Sequence, residues 1–254
     1  MTNAIEPTIV AIPCFSGAPW DDYQLKSLSG HKVRTMRLPE EVDSVEAYAD
    51  SVCEQVADLD SFVLVGDSFG AVIAVTLATR QPPGLGGLVM SGGFAANPLP
   101  RWKGIAARAS RFAGGALYRQ GTLRFHAFQL GSTFDSTAEN PLTQNDYRQL
   151  FIDNTPRRSY TARVTSVINF DVRDRLNRIE VPTLLITPQD DKLVGKNAAQ
   201  ELLDGIAGAQ EIVLPATGHM FRFTHPDLYG NTITAFIDDA LGTTPREHRG
   251  APGR

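Results

Sequence analysis

Phe62-Val63-Leu64-Val65-Gly66-Asp67-Ser68-Phe69-Gly70 runs from four consecutive apolar residues into a Gly-x-Ser-x-Gly pentad, and a helical pattern from Gly70 to Arg80 follows directly. A short run that is apolar throughout reads as an interior strand covered on both faces. The pentad, set between that strand and a helix, reads as a very tight turn. Ser68 must take unfavourable backbone angles there, which lifts its hydroxyl above the end of the sheet. Glycines at 66 and 70 remove the Cβ atoms that would collide in such a turn. The helix behind it offers N–H groups and the positive end of its dipole to negative charge developing at Ser68.

Working outward, short apolar runs alternate with helical patterns, the signature of a parallel α/β sheet. Strands are expected at Thr8–Pro13, Lys32–Leu38, Ser61–Gly66, Leu85–Met90, Pro182–Thr187 and Gln210–Leu214. Thr183-Leu184-Leu185-Ile186 is a second run without polar breaks, hence a second interior strand. Between Ser44 and Leu59, Val45, Tyr48, Val52 and Val56 recur at helical spacing, with Asp43 as the expected N-cap. Pro226 to Leu241 reads as a further helix, and Pro39 and Pro82-Pro83 punctuate the connections. Residues 95–178 break the alternation. They are helical in pattern and carry Trp102, Phe112, Tyr118, Phe125, Phe128, Phe134, Tyr147 and Phe151, so they read as an insertion between two strands. Residues 242–254 form a polar Gly/Pro/Arg tail, expected to fray.

Composition narrows the function classes. The chain has 254 residues, 42% hydrophobic and 20% charged, which suits a globular protein and not a disordered one. A net charge of −4 argues against nucleic-acid binding driven by overall positive charge. No run of about 18 apolar residues occurs, so no transmembrane segment is expected. Met1 to Pro7 carries Glu6 and no basic segment, so a secretory signal is not expected either. The two cysteines, Cys14 and Cys53, match no metal spacing and fit a reducing, cytoplasmic setting.

A serine hydroxyl needs a base to take its proton. Of five histidines, His248 lies in the tail and His31 precedes an early strand. His126 sits among aromatics as a packed residue, and His225, before Pro226, reads as a solvated loop residue. His219 follows the strand Glu211-Ile212-Val213-Leu214 and the turn Thr217-Gly218. It therefore falls at a strand's carboxyl end, where open α/β sheets carry their sites. A carboxylate should orient that imidazole. The loop after Pro182–Thr187 supplies two, Asp190 and Asp191, which chemistry alone does not separate.

These motifs resemble the α/β-hydrolase superfamily from about Thr8 to Ile237, with nucleophile, acid and histidine in the superfamily's chain order. The resemblance implies a mostly parallel central sheet flanked by helices, with a core of 1–94 and 179–241 and a helical cap at 95–178. Pro182 to Val194 resembles the superfamily's Pro-x-Leu-x-Ile-x-Gly-x-x-Asp-x-x-Val pattern, which puts the acid on Asp191. Ser91-Gly92-Gly93-Phe94, where some relatives carry the acid, has no carboxylate. Ala216-Thr217-Gly218-His219 resembles the histidine loop. Relatives carry His-Gly after the first equivalent strand, where this chain has Pro13-Cys14. The resemblance then puts one oxyanion donor on the backbone N–H of Phe15 and the second on that of Phe69. Arg37-Leu38-Pro39-Glu40-Glu41 also departs from the relatives' Asp-x-Pro-Gly-x-Gly-x-Ser, marking a divergent subgroup.

The implied activity is a serine hydrolase acting on an ester or related acyl bond of a small, largely apolar substrate, through Ser68, Asp191 and His219 and an acyl-enzyme. No cofactor and no metal are called for. Thioesters, lactones and carbon–carbon bonds use the same triad, and some relatives are ligand sensors that do not turn over. Cys14, Trp102, Phe125 and Phe128 are the candidate substrate-lining residues. No acidic residue falls between Asp67 and Asp135, whereas Arg80, Arg101, Lys103, Arg108, Arg111, Arg119 and Arg124 do. The insertion is thus basic. It is read chiefly as a lid over the pocket, with weak membrane-surface contact as the alternative. Oligomeric state is not legible in the sequence.

Overall fold

The computed structural model describes residues 6–98, 143–191, 193–194 and 196–242. Six strands form one wholly parallel sheet: β1 (Thr8–Ile12), β2 (Val33–Thr35), β3 (Phe62–Asp67), β4 (Leu85–Ser91), β5 (Thr183–Pro188) and β6 (Gln210–Leu214), in the order β2-β1-β3-β4-β5-β6. The helices are α1 (Asp22–Leu25), α2 (Val45–Gln55), α3 (Phe69–Ala78), α4 (Gln144–Asn154), α5 (Arg157–Ile168), α6 (Lys196–Gly205), α7 (Phe221–Thr224) and α8 (Pro226–Leu241).

Strand periodicity divides the core into two layers. Val10 and Ile12 of β1 and Phe62 and Leu64 of β3 face one way, onto α2, α3 and α6. Ile9, Ala11, Val63 and Val65 face the other, onto Trp20, Leu28 and the Tyr229, Ile233 and Ile237 side of α8. Every residue of β3 is buried, and so is every residue of α3. The uninterrupted apolar runs are therefore central strands, as expected of a sheet covered on both sides.

Some boundaries differ from the sequence expectation. β2 keeps only Val33–Thr35 of Lys32–Leu38, because it is an edge strand paired with β1 alone. The N-cap of α2 is Ser44 and not Asp43, which lies one position further out. Helix α6 was not anticipated, although Ala198, Leu202 and Ile206 recur every four residues and are buried. His225 is half-buried at the start of α8, its Nδ1 2.9 Å from Thr224 Oγ1, and is not a solvated loop residue. Between β4 and β5 the described chain forms α4, α5 and a 3₁₀ turn at Arg173–Arg178, tied back by an antiparallel bridge between Ala96 and Asp171. Trp102, Phe125, Phe128 and the tail from 243 onward lie outside the described residues.

β1 and β3 are neighbours, yet their connections leave on opposite sides of the sheet, and ligands bind at such switch points. Here α3 presses its first turn against β1. A Cβ on Gly70 would lie 2.5 Å from the carbonyl oxygen of Ile12 and 2.8 Å from that of Pro13. Gly70→Ala is expected to lower stability by about 1–3 kcal/mol, because backbone must move to admit one methyl. Gly30→Ala, with nothing within 4 Å of the new methyl, should change the unfolding free energy by no more than about 0.5 kcal/mol. Equal midpoints for the two variants would contradict this account of the turn.

Candidate active site

Three loops at the carboxyl ends of β3, β5 and β6 meet above the sheet. Ser68 forms the whole turn from β3 to α3, at φ 53° and ψ −116°. Few non-glycine residues adopt such angles, and they persist only where the surroundings enforce them. The Ser68 N–H donates to the carbonyl of Ser91, which anchors the turn to the end of β4. Asp191 follows β5 by three residues and His219 follows β6 by five.

The sequence candidates Ser68, Asp191 and His219 come together. Nε2 of His219 lies 2.9 Å from Ser68 Oγ, and its Nδ1 lies 2.8 Å from Asp191 Oδ2. The other carboxylate oxygen of Asp191 accepts from the N–H groups of Leu193 and Val194, at 2.8 and 3.0 Å. Both side chains of the His219–Asp191 pair are about 5% exposed or less. Asp190, its neighbour, is exposed, and its N–H instead bonds the carbonyl of Thr217, tying the two loops together.

Burial and charge oppose each other here. Burial alone would depress His219, but the charge of Asp191, the hydrogen bond to it and the charge of Asp67 outweigh burial and hold the imidazole above 6.5. Burial alone would raise Asp191. The charge and hydrogen bond of His219, with the two backbone N–H groups, outweigh burial and keep the carboxyl below 3.8.

A cleft of about 390 Å³ opens over Ser68. Phe15, Phe69, Phe94, Phe151, Val164, Val167, Leu193, Val194 and Met220 give it an apolar lining. Cys14 also lies along the cleft; the other candidates, Trp102, Phe125 and Phe128, fall outside the described residues. Phe15 and Phe69 lie edge to face, 5.5 Å between ring centroids, on either side of the strand-order reversal. Phe69 is the first residue of α3, and the first N–H groups of a helix have no acceptor within it.

One wall is polar and was missed in the sequence. Arg222 is 2% exposed, with Nε 3.0 Å from Asp67 Oδ2. Its other nitrogens donate to Gln24 Oε1 and, at 3.5 Å, to the Cys14 sulfur. The guanidinium lies 4.7 Å from the Trp20 ring centroid and 4.0 Å from that of Phe223. Burial disfavours its charge, but Asp67 outweighs burial and holds it as a cation. The available signal was the single acidic residue inside the pentad, with an arginine three places after His219.

Comparison with known proteins identifies the family and the fold. The family model described as serine aminopeptidase, S33, matches residues 26–222. The chain belongs to this family of α/β-hydrolases. It is similar to the protein RutD of Rhizobium rhizogenes strain K84, 25% identical over 199 residues that make up 76% of this chain and 74% of that one. The 2-hydroxy-6-oxononadienedioate/2-hydroxy-6-oxononatrienedioate hydrolase of Escherichia coli K12 is 27% identical over 203 residues, 74% of this chain and 65% of the relative. This α/β-hydrolase thus spans less than two thirds of that relative's length. Among solved structures, a hydrolase from Pseudomonas aeruginosa PA01 superposes with a TM-score of 0.76 at 20% identity, covering 92% of this chain and 91% of its own. The enol-lactonase of Burkholderia xenovorans LB400 gives 0.69 at 18% identity, covering 93% of each. At these identities the two structures establish the fold. Among the described residues no helix is long and apolar enough to cross a membrane, and no cluster of three His, Cys, Asp or Glu could hold a metal ion.

The opposing shifts set an activity-independent expectation. In NMR of the imidazole, His219 should titrate above 6.5, and Asp191→Asn should move the midpoint down, since removing the carboxylate leaves burial dominant. The linkage has a definite sign. The lowered Asp191 carboxyl stabilises the fold above about pH 3.8, and that contribution is lost as pH falls through the lowered value. The raised His219 contributes below pH 6.5 and ceases to as pH rises through its raised value. An unchanged His219 midpoint in Asp191→Asn would contradict the pairing.

Proposed function

We propose that this α/β-hydrolase cleaves a carboxylic ester, or a related acyl bond, of a small and largely apolar substrate through an acyl-enzyme on Ser68. The observation that carries the reading is the hydrogen-bonded chain from Ser68 through His219 to Asp191, opening on an apolar cleft. His219 takes the Ser68 proton as the oxygen attacks the acyl carbon, and Asp191 holds the imidazole in the tautomer whose Nε2 accepts. Backbone N–H groups of Phe15 and Phe69 receive the oxyanion; such a donor contributes on the order of 3 kcal/mol when aimed at it. His219 then protonates the departing alcohol. Water, deprotonated by the same imidazole, releases the acid. Side chains, backbone and water supply every step.

The E. coli relative is named for a dicarboxylate substrate, which favours a carbon–carbon bond as the second reading. The polar wall favours the ester. The charge of Arg222 is balanced by Asp67, and Asp21 adds a carboxylate to the lining, so the described wall carries no net positive charge for an anion. Two free cysteines fit a reducing, cytoplasmic compartment. Residues 95–178 are proposed as the cap, bordering the cleft through Phe151, Val164 and Val167.

A fluorophosphonate should label Ser68 in the native protein, and Ser68→Ala should reduce hydrolysis of activated esters to background with an unchanged melting profile. Asp191→Asn should lose roughly 10³–10⁴ in kcat, as loss of the orienting carboxylate does in triads. Asp190→Asn should stay within a few-fold. Labelling that survives Ser68→Ala would refute the assignment, and equal kcat in the two aspartate variants would place the acid elsewhere. Neutral esters should outpace dicarboxylate ones in kcat/KM; the reverse order would favour the second reading.

A further inference from the structure

The loop after β1 is held by an arginine that comes from the far side of the strand order. Arg163 sits on α5, in the segment between β4 and β5, and is 2% exposed. Its NH1 donates to the carbonyl oxygens of both Phe15 and Ser16, each at 2.8 Å. It does not line the cleft, and among the described residues no carboxylate lies in ion-pair range of it. A buried guanidinium directed at two successive carbonyls holds the backbone they belong to.

The bonds act on three consecutive peptide planes. The Cys14 carbonyl accepts from the N–H of Gly17 at 2.9 Å, which orients the Cys14–Phe15 plane. In a trans peptide the N–H points opposite to the carbonyl, so this bond also orients the Phe15 N–H. Arg163 fixes the next two planes through the Phe15 and Ser16 oxygens. The Phe15 ring adds a second attachment to the same helix, 5.4 Å from the Tyr160 ring and nearly perpendicular to it. Gly17 makes room for the clasp. It has φ +74°, and a Cβ there would fall 2.3 Å from Arg163 NH2.

We propose that Arg163 is a positioning residue for catalysis: it clasps the β1 loop so that the Phe15 N–H points at the developing oxyanion. The clasp grips the carbonyls of Phe15 and Ser16, directly after Pro13-Cys14. The segment between β4 and β5 thereby completes the oxyanion site from behind. The inference rests on the serine-hydrolase reading above.

The test compares native enzyme, Arg163→Met and Arg163→Lys by kcat and KM on an activated ester. It adds the inhibition constant of a trifluoromethyl ketone, which mimics the tetrahedral oxyanion, and the rate of Ser68 labelling by a fluorophosphonate. In Arg163→Met, kcat should fall about 10–100-fold, the scale of a donor displaced by an ångström, with KM within about threefold. The ketone's affinity should weaken in proportion to kcat/KM. Arg163→Lys keeps a cation that can reach the carbonyls, so it should recover part of the loss, again at constant KM. Should Arg163→Met fail to fold, the lysine variant decides alone: reduced kcat and weakened ketone binding at unchanged KM support the clasp. Unchanged kcat and ketone affinity in a folded variant overturn it, and so does a rise in KM alone, which would mean that Arg163 only shapes the cleft. Absence of labelling in the native enzyme would instead overturn the serine-hydrolase reading, and the clasp with it.

Discussion

The chain turns from β3 into α3 through a single residue, Ser68, whose backbone is held at φ 53°. Such a conformation costs of order 1–3 kcal/mol and is retained only when neighbours over-determine it. Here they do. A Cβ on Gly66 would lie 2.3 Å from the carbonyl oxygen of Gly70, and one on Gly70 would strike Ile12. The turn is therefore wedged between its own helix and β1. The Ser68 N–H, bonded to Ser91, closes it from the β4 side. With the turn set, the hydroxyl position follows, and the β5 and β6 loops have only to bring a carboxylate and an imidazole to it.

That assembly gathers charges in a nearly dry environment, where an unpaired one would be costly. The solutions differ from place to place. Asp191 accepts three hydrogen bonds, one from His219 and two from backbone. Asp67, beside the nucleophile, is matched by Arg222, whose guanidinium lies over the Trp20 and Phe223 rings. Replacing such a pair with apolar residues is often neutral for stability, whereas removing one partner is not. Arg163 is paired with carbonyls. The Asp67–Arg222 pair also joins the elbow to the helix that follows His219, so the two loops share an anchor as well as a hydrogen bond.

Legibility varied with the range of the signal. The elbow was readable because strand, turn and helix are contiguous and each has a local signature. Asp191 and Asp190 were not separable by chemistry. The fold separates them by leaving one exposed and surrounding the other with backbone donors. Helix α6 was passed over because its buried stripe is only Ala198, Leu202 and Ile206. His225 read as solvated because nothing local reveals that the start of α8 packs inward.

The alternating apolar runs and the glycines of the pentad pointed to a parallel α/β sheet and to the position of Ser68, since each strand, helix and turn has a signature within a few residues. The Arg222–Asp67 pair and the clasp of Arg163 on Phe15 and Ser16 depend on contacts across 155 and about 148 positions. A local pattern carries no information about which distant arginine is buried or which oxygen it meets. Only the packing of α5 and α7 around the end of the sheet decides that, because in the interior each buried charge has to find a partner among the groups the fold brings near.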